Sequence, residues 1–475
     1  MWRDLPALLI GKVPRQVVVQ ITDRCNAGCP HCSMRAGVSR RRSTMPIDTA
    51  LSVIDHAARS GVRTISFTGG EPLLDVRQLT RYVRFAREAG IRSTRTGTNG
   101  FMFANSDSRQ VTSEAGRLAD SLLTAGLRDL WINLDSADPA THERMRGLPG
   151  VSAGIERALP VFHDAGMYPA VDLGLTRALG GPLLPRREDG PEAFARKARE
   201  GLRRFFSRAV DMGFTMANVR YLTSAAAKRD GLSAVCGATS GSSLVDFSRP
   251  ERRVLFAALR DVIPEFRAQI RILTPLSSVD GLAAEYSSSL PRPSGYACRG
   301  GVDFVFVDTR GHAFPCGYRG DEDLGPFATL DFARLERLPH CRLCDWECFR
   351  NPSELMGPVA GAASLSATVA KSLRGRDRRL GLWRSDVRYY LAAGLFDGRR
   401  APDMARLRAA SATPARKTAA APTIAARAAV VRPLPASQAA AAPALDEVRL
   451  RLANPGEEMD TAVSEVLEGR PRGVA

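Results

Sequence analysis

Three cysteines within eight residues, Cys25-Asn-Ala-Gly-Cys29-Pro-His-Cys32, follow directly on the β-branched run Gln16-Val17-Val18-Val19-Gln20-Ile21. Three thiolates converging from one loop can each bind one iron of a [4Fe-4S] cube and leave the fourth iron without a protein ligand. That vacancy is chemically useful, because a small molecule carrying an amine and a carboxylate can chelate the open iron and receive an electron. The competing reading is a zinc loop, which needs a fourth Cys or His. His31 is the candidate, but it is the immediate neighbour of Cys32 and sits awkwardly for tetrahedral closure. The nine cysteines of the chain fall into two tight groups plus the isolated Cys236, which reads as a plain small residue. In a reducing compartment such groups hold metal more often than they form disulfides.

From residue 16 to about 222 short apolar runs alternate with helical patterns, which predicts repeated βα units around a parallel sheet. Strands are expected at 16–21, 64–68, 92–98, 130–134, 170–175 and 214–222, with helices at 46–60, 76–89, 113–125, 153–165 and 192–211. Glycines close the first two helices at Gly61 and Gly90. Six such units make an α/β fold, a partial (β/α)6 TIM-like barrel, whose chemistry belongs at the C-terminal ends of the strands. Residues 1–15 are a lead-in, and 223–295 connect to a second cysteine-rich region at 296–352, with a helical pattern near 250–267 and an apolar run at 270–273. A segment at 353–400, with Trp383, Tyr389 and Tyr390, reads as closing helix. Beyond 401 the composition collapses to Ala, Pro, Arg and Thr, too poor in apolar surface to fold, so 401–475 reads as a disordered basic tail.

The spacing C-x3-C-x2-C after a first strand resembles the radical S-adenosylmethionine (radical SAM) superfamily, and the resemblance extends past the cysteines. Thr68-Gly69-Gly70-Glu71-Pro72 ends the second strand, Thr98-Asn99-Gly100 the third and Asp135-Ser136 the fourth. The resemblance implies a radical SAM barrel in which Cys25, Cys29 and Cys32 hold the catalytic [4Fe-4S] cluster. It also implies that Gly69, Gly70, Glu71 and Pro72 receive the amino group of the methionine moiety, and that Asn99, Asp135 and Ser136 meet its ribose and methionine parts. His31 stands where the family more often has Tyr, Phe or Trp near the adenine, and an imidazole can stack there too. The implied chemistry is an electron passed to the sulfonium, giving methionine and a 5′-deoxyadenosyl radical that removes hydrogen from a substrate. An external electron donor of flavodoxin or ferredoxin type is implied with it.

Downstream stand Cys298, Cys316, Cys341, Cys344 and Cys348. Seventeen residues between Cys298 and Cys316, then a C-x2-C pair, resemble the SPASM and shorter twitch extensions that carry auxiliary [4Fe-4S] clusters beside the barrel mouth. The match is to a twitch with one cluster, on Cys298, Cys316, Cys341 and Cys344. Cys348 is left either as a substitute ligand or as a partner facing the substrate. A structural four-cysteine zinc site is the alternative. Tyr296, Asp303 and Glu347 lie near these cysteines and are candidate bases.

The formal charge of +17, mostly arginine scattered along the chain, allows attraction to nucleic acid without requiring it. RNA modification is therefore one rival function, against which stands the lack of a recognisable RNA-binding module. A metal-binding scaffold working through its basic tail is the other. No apolar run approaches the roughly 20 residues of a membrane span, so a cytosolic protein without membrane partners is expected. Only 24 residues precede Cys25, which favours a small-molecule substrate or a peptide delivered by a separate partner.

Overall fold

The run Arg15–Thr22 forms β1, and the apolar Val17, Val18, Val19 and Ile21 at its centre have a simple cause: the run lies inside the sheet with a strand on each side. The computed structural model describes residues 8–32, 42–104, 107–184, 190–221, 235, 242–287, 296–335, 339–342, 344–374 and 377–411. After β1 come β2 (Val62–Gly69), β3 (Ser93–Thr98), β4 (Asp129–Leu134), β5 (Ala170–Gly174), β6 (Met216–Arg220) and the short β7 (Arg271–Ile272), each parallel to the one before. Helices α1 (Ile47–Arg59), α2 (Val76–Glu88), α3 (Ser108–Ala125), α4 (Pro139–Arg146), α5 (Val151–Asp164), α6 (Pro191–Asp211) and α7 (Arg249–Phe266) fill the crossovers.

The helices pack by amphipathic stripes. In α1 the buried positions are Ala50, Val53, Ile54 and Ala57, the i, i+3, i+4, i+7 pattern of one apolar face. Asp75, Asp107 and Asp138 cap α2, α3 and α4 by accepting from Gln78, Gln110 and Thr141 N–H groups. The apolar side of each strand, such as Val17, Val19 and Ile21 of β1, packs under these helices into one core.

The sheet is larger than six units. β8 (Phe304–Val307), from the cysteine-rich region, lies parallel on the other side of β1, pairing Gln16 with Phe304 through Val19 with Val307, and β9 (Ala313–Phe314) runs antiparallel beyond it. The order is β7-β6-β5-β4-β3-β2-β1-β8-β9, a nine-stranded, mostly parallel sheet with two open ends. The stretch expected to be a connector thus supplies α7, β7 and α8 (Leu276–Ser287). After α9 (Glu347–Met356) and α10 (Ala362–Arg374), α11 (Arg378–Ala392) closes the β7 end. The Ile272 N–H donates to the Tyr389 hydroxyl at 2.9 Å, and that hydroxyl donates to the Ile270 carbonyl at 3.0 Å, so the edge strand is covered. Inside the stretch read as a disordered tail, Met404–Ser411 forms α12 with Leu407 fully buried. The residues after 411, and Cys236, lie outside the described residues.

Candidate functional site

Strand pleating sends alternate side chains to opposite faces. Those not committed to the core under the helices point inward: Val18 and Gln20 from β1, Trp131 and Asn133 from β4, Asn218 and Arg220 from β6. They line one cavity of about 470 Å³, whose mouth is set by the loops after the strands. The sequence reading missed these residues, although the signal was present in polar or aromatic residues at every second position of otherwise apolar runs.

Cys25, Cys29 and Cys32 all line this cavity. Their loop is held from outside and within: the Gly28 N–H donates to the Arg146 carbonyl at 2.7 Å and the Cys32 N–H to the Cys29 carbonyl at 3.2 Å. The Ala27 N–H points at Cys25 Sγ from 3.4 Å. Burial pushes the Cys29 thiol up to about 12 and raises that of Cys25 as well. Thiolates there need a compensating cation, and iron ligation supplies one.

The loop is zipped to the end of β2. Gly70 and Glu71 N–H groups donate to the Thr22 and Arg24 carbonyls at 2.9 and 2.8 Å. Gly69 and Gly70 permit that approach, since a Cβ on either would lie 2.1 Å from the Thr22 or the Arg24 carbonyl oxygen. Glu71, 1% exposed, accepts from the Leu73 N–H at 3.0 Å and the Asn99 N–H at 2.7 Å, so one carboxylate joins the ends of β2 and β3. Burial nevertheless pushes its pKa up to about 7. The Asn99 amide donates to Asn26 Oδ1 at 3.0 Å and approaches Cys25 Sγ at 3.8 Å.

The remaining expected cofactor contacts divide. His31 lines the cavity, with Nε2 3.4 Å from Asp135 Oδ1 and a buried Nδ1 that has no partner among the described residues. Gln20 Oε1, in a side chain 3% exposed on the same wall, has none either. Asp135 and Ser136 do not line the cavity. Asp135 is fully buried behind Arg146, whose Nε lies 2.7 Å from its Oδ2. Burial would raise this carboxyl, but Arg146 and His31 outweigh it and hold it well below the usual range. It is Arg146, on the unforeseen helix α4, that reaches the cavity beside the cysteine loop.

The downstream cysteines separate into four and one. Cys298, Cys316 and Cys341 sit in an apolar cluster with Phe304, Phe306, Phe314 and Phe349, and the Cys298 N–H donates to the Cys341 carbonyl at 2.9 Å. Burial raises Cys298 to about 11 and Cys316 to about 12; Cys344 is raised well above its usual value, by burial first and then by Cys316 and Cys298 beside it. Cys348 touches the edge of the same apolar cluster but differs in its charged neighbours. It lines the central cavity, and its thiol, raised by burial and by Glu347 and Asp172, donates to Glu347 Oε1 at 3.5 Å. Among the described residues no three His, Cys, Asp or Glu side chains form a group suited to a single metal ion. A cube, taking one thiolate per iron, spreads its ligands more widely than zinc does.

Of the candidate bases only Glu347 faces the cavity, its pKa lifted to about 7 by burial and by Asp172. Asp303 is tied to Arg299 Nε at 2.6 Å, and the ring of Tyr296 lies under Arg379 with a 5.5 Å separation. No helix among the described residues is long and apolar enough to cross a membrane.

A thiol trio, a zipped glycine-glycine-glutamate turn and an inward-facing polar wall, all at strand C-termini of a parallel sheet, define a cofactor-dependent α/β enzyme. Residues 19–185 match the family described as the Radical SAM superfamily, so this part of the chain is a radical SAM domain. An AdoMet-dependent heme synthase of Methanosarcina barkeri is 25% identical over 311 residues, 64% of this chain and 77% of that one. A PqqA peptide cyclase of Xanthomonas oryzae pv. oryzae is 29% identical over 151 residues, 32% of this chain and 35% of that one. A solved structure of anSMEcpe with bound AdoMet superposes with a TM-score of 0.46 at 14% identity, covering 78% of this chain and 99% of that one. The Radical SAM family implies a [4Fe-4S] cluster and S-adenosylmethionine as cofactors.

Proposed function

We propose that this chain cleaves S-adenosylmethionine reductively and directs the resulting radical at a small metabolite or a peptide side chain, as an oxidoreductase or maturase. The observation that carries this reading is the meeting of Cys25, Cys29, Cys32, Glu71 and Asn99 on one cavity. Cys25, Cys29 and Cys32 hold the cluster, and Glu71 with the Gly69–Gly70 turn receives the amino group. Gln20 Oε1 and His31 Nδ1, buried on the cavity lining without a partner among the described residues, fit a polar ligand there. When bound, the cluster and its ligand supply an electron transfer to the sulfonium and a 5′-deoxyadenosyl radical. The protein orients the substrate and excludes water.

Cys298, Cys316, Cys341 and Cys344 would hold an auxiliary [4Fe-4S] cluster, which would supply one-electron transfer. Reduction comes from an external donor of flavodoxin or ferredoxin type. Both substrate classes have precedent among the relatives, one named a heme synthase and one a peptide cyclase.

The test is anaerobic reconstitution followed by dithionite and S-adenosylmethionine: about eight irons per chain and release of 5′-deoxyadenosine are expected. Protein that holds its iron but yields no 5′-deoxyadenosine refutes the reading. Cys344→Ala should keep about half of the iron, with the loss confined to the auxiliary centre in the paramagnetic resonance spectrum.

Glu71 makes binding pH-dependent. Its ionised form attracts the ammonium group, and its pKa is about 7. Protonation on acidification therefore removes the attraction, and the Kd for S-adenosylmethionine should rise about tenfold between pH 8 and pH 6. In Glu71→Gln binding should be weak and flat across that range. Titration calorimetry on the oxidised, iron-loaded protein checks both, and an unchanged slope in the variant would remove Glu71 from this role.

A further inference from the structure

Five cysteines stand in the C-terminal region where four suffice for one cube, and the fold puts the fifth somewhere else. Cys348 lies in the first turn of α9; it packs against the edge of the Phe-rich cluster but also lines the central cavity, as none of the other four does. Its backbone is pinned to β1, where Gln16 Nε2 donates to the Cys348 carbonyl at 3.2 Å. Its charged neighbours are Glu347 on its own helix, Asp172 on β5 and Arg220 on β6. Gln16 and Gln20 lie on the same face of β1, and the buried, partnerless Gln20 Oε1 independently shows that this wall awaits a polar ligand. The thiol and the thiol trio of the N-terminal loop thus open on one space.

A thiol S–H bond is weaker than the C–H bonds of most organic substrates, so a carbon radical beside it takes its hydrogen downhill. We infer that Cys348 delivers a hydrogen atom to the carbon radical formed on the substrate in this cavity. The inference rests on the proposed cleavage of S-adenosylmethionine and goes beyond it, because it fixes the fate of the radical. The S–H bond breaks homolytically, a C–H bond forms on the substrate carbon, and a sulfur radical remains. One electron from the low-potential donor already required and one proton through Glu347 Oε1 restore the thiol. The substrate class is then one whose carbon leaves with a solvent-derived hydrogen, by exchange or inversion, with no net oxidation of that carbon.

The test needs no knowledge of the substrate. Iron-loaded protein, desalted free of small thiols, is given S-adenosylmethionine and dithionite in D2O, where the Cys348 thiol carries deuterium and the deoxyadenosyl radical is the carbon radical present. Mass spectrometry of the 5′-deoxyadenosine should show one incorporated deuterium, lost in Cys348→Ala and in Cys348→Ser, whatever the rate of its formation. In parallel, Cys348→Ala should retain about eight irons. Undeuterated product from the wild type, equal deuteration in the variants, or loss of iron on substitution would each overturn the inference. Failure to form any 5′-deoxyadenosine would sink the cleavage reading itself, and this one with it.

Discussion

Cys29→Ala is expected to leave reduced, iron-loaded protein with no 5′-deoxyadenosine formation above the uncatalysed background. Cys29 is the most buried of the three loop thiols, 7% exposed, and sits between Cys25 and Cys32. A methyl group there removes a cluster ligand and leaves two, while the surrounding carbonyls offer no replacement donor. The total should fall from about eight irons to about four, all of them in the C-terminal centre. Because Gly28 stays anchored to the Arg146 carbonyl and Cys32 to the backbone of residue 29, the loop itself should hold and the thermal midpoint change little. Full cleavage activity in this variant, or a loss of iron from both centres, would show that the loop does not hold its cluster independently.

The parts of this site that could be read in advance are those carried by local sequence. β1 to β6 announce themselves because strands buried on both faces read as short apolar runs, and the cysteine, Gly-Gly-Glu, Asn-Gly and Asp-Ser motifs each follow one. The strand β8 did not, because Phe304–Val307 becomes a strand of this sheet only through pairing with β1, far away in the chain. That pairing is what brings the cysteine-rich region against the barrel.

Helix α4 escaped for a different reason. Its eight residues, Pro139–Arg146, are mostly polar, and its buried Thr141, His142, Met145 and Arg146 make no apolar stripe. Consequently Arg146 was invisible as a cavity residue, and nothing in the sequence told of the buried ion pair that it makes with Asp135. The sequence set Cys348 apart from the other four cysteines but left its place open between a substitute ligand and a residue facing the substrate, because spacing within one short run does not say where a thiol points. The start of α9, between Cys344 and Cys348, puts the latter on the cavity wall.

The largest stability effect expected away from the cavity is at Asp386, on α11. Its carboxylate is fully buried, lies 2.7 Å from Arg267 Nη2 and accepts the Leu276 and Ser277 N–H groups at 3.0 and 2.8 Å. One side chain therefore neutralises the buried guanidinium of Arg267, 4% exposed, and satisfies two N–H groups at the start of α8. Asp386→Ala leaves a buried cation and two donors without partners, a loss of about 3–5 kcal/mol. The apparent Tm should fall by roughly 5–10 °C, and Asp386→Asn, which keeps an acceptor but not the charge, should fall between. The exposed pair Arg203–Glu265, at 2.8 Å with both side chains at least 40% exposed, is the control: Arg203→Ala should cost no more than about 1 kcal/mol. The difference matters to function because Asp386 and Tyr389 together hold α11 over β7, and Tyr390 on that helix lines the cavity. Scanning calorimetry on the iron-loaded proteins decides it, and equal Tm values for Asp386→Ala and Arg203→Ala would mean that α11 is held by its apolar contacts alone.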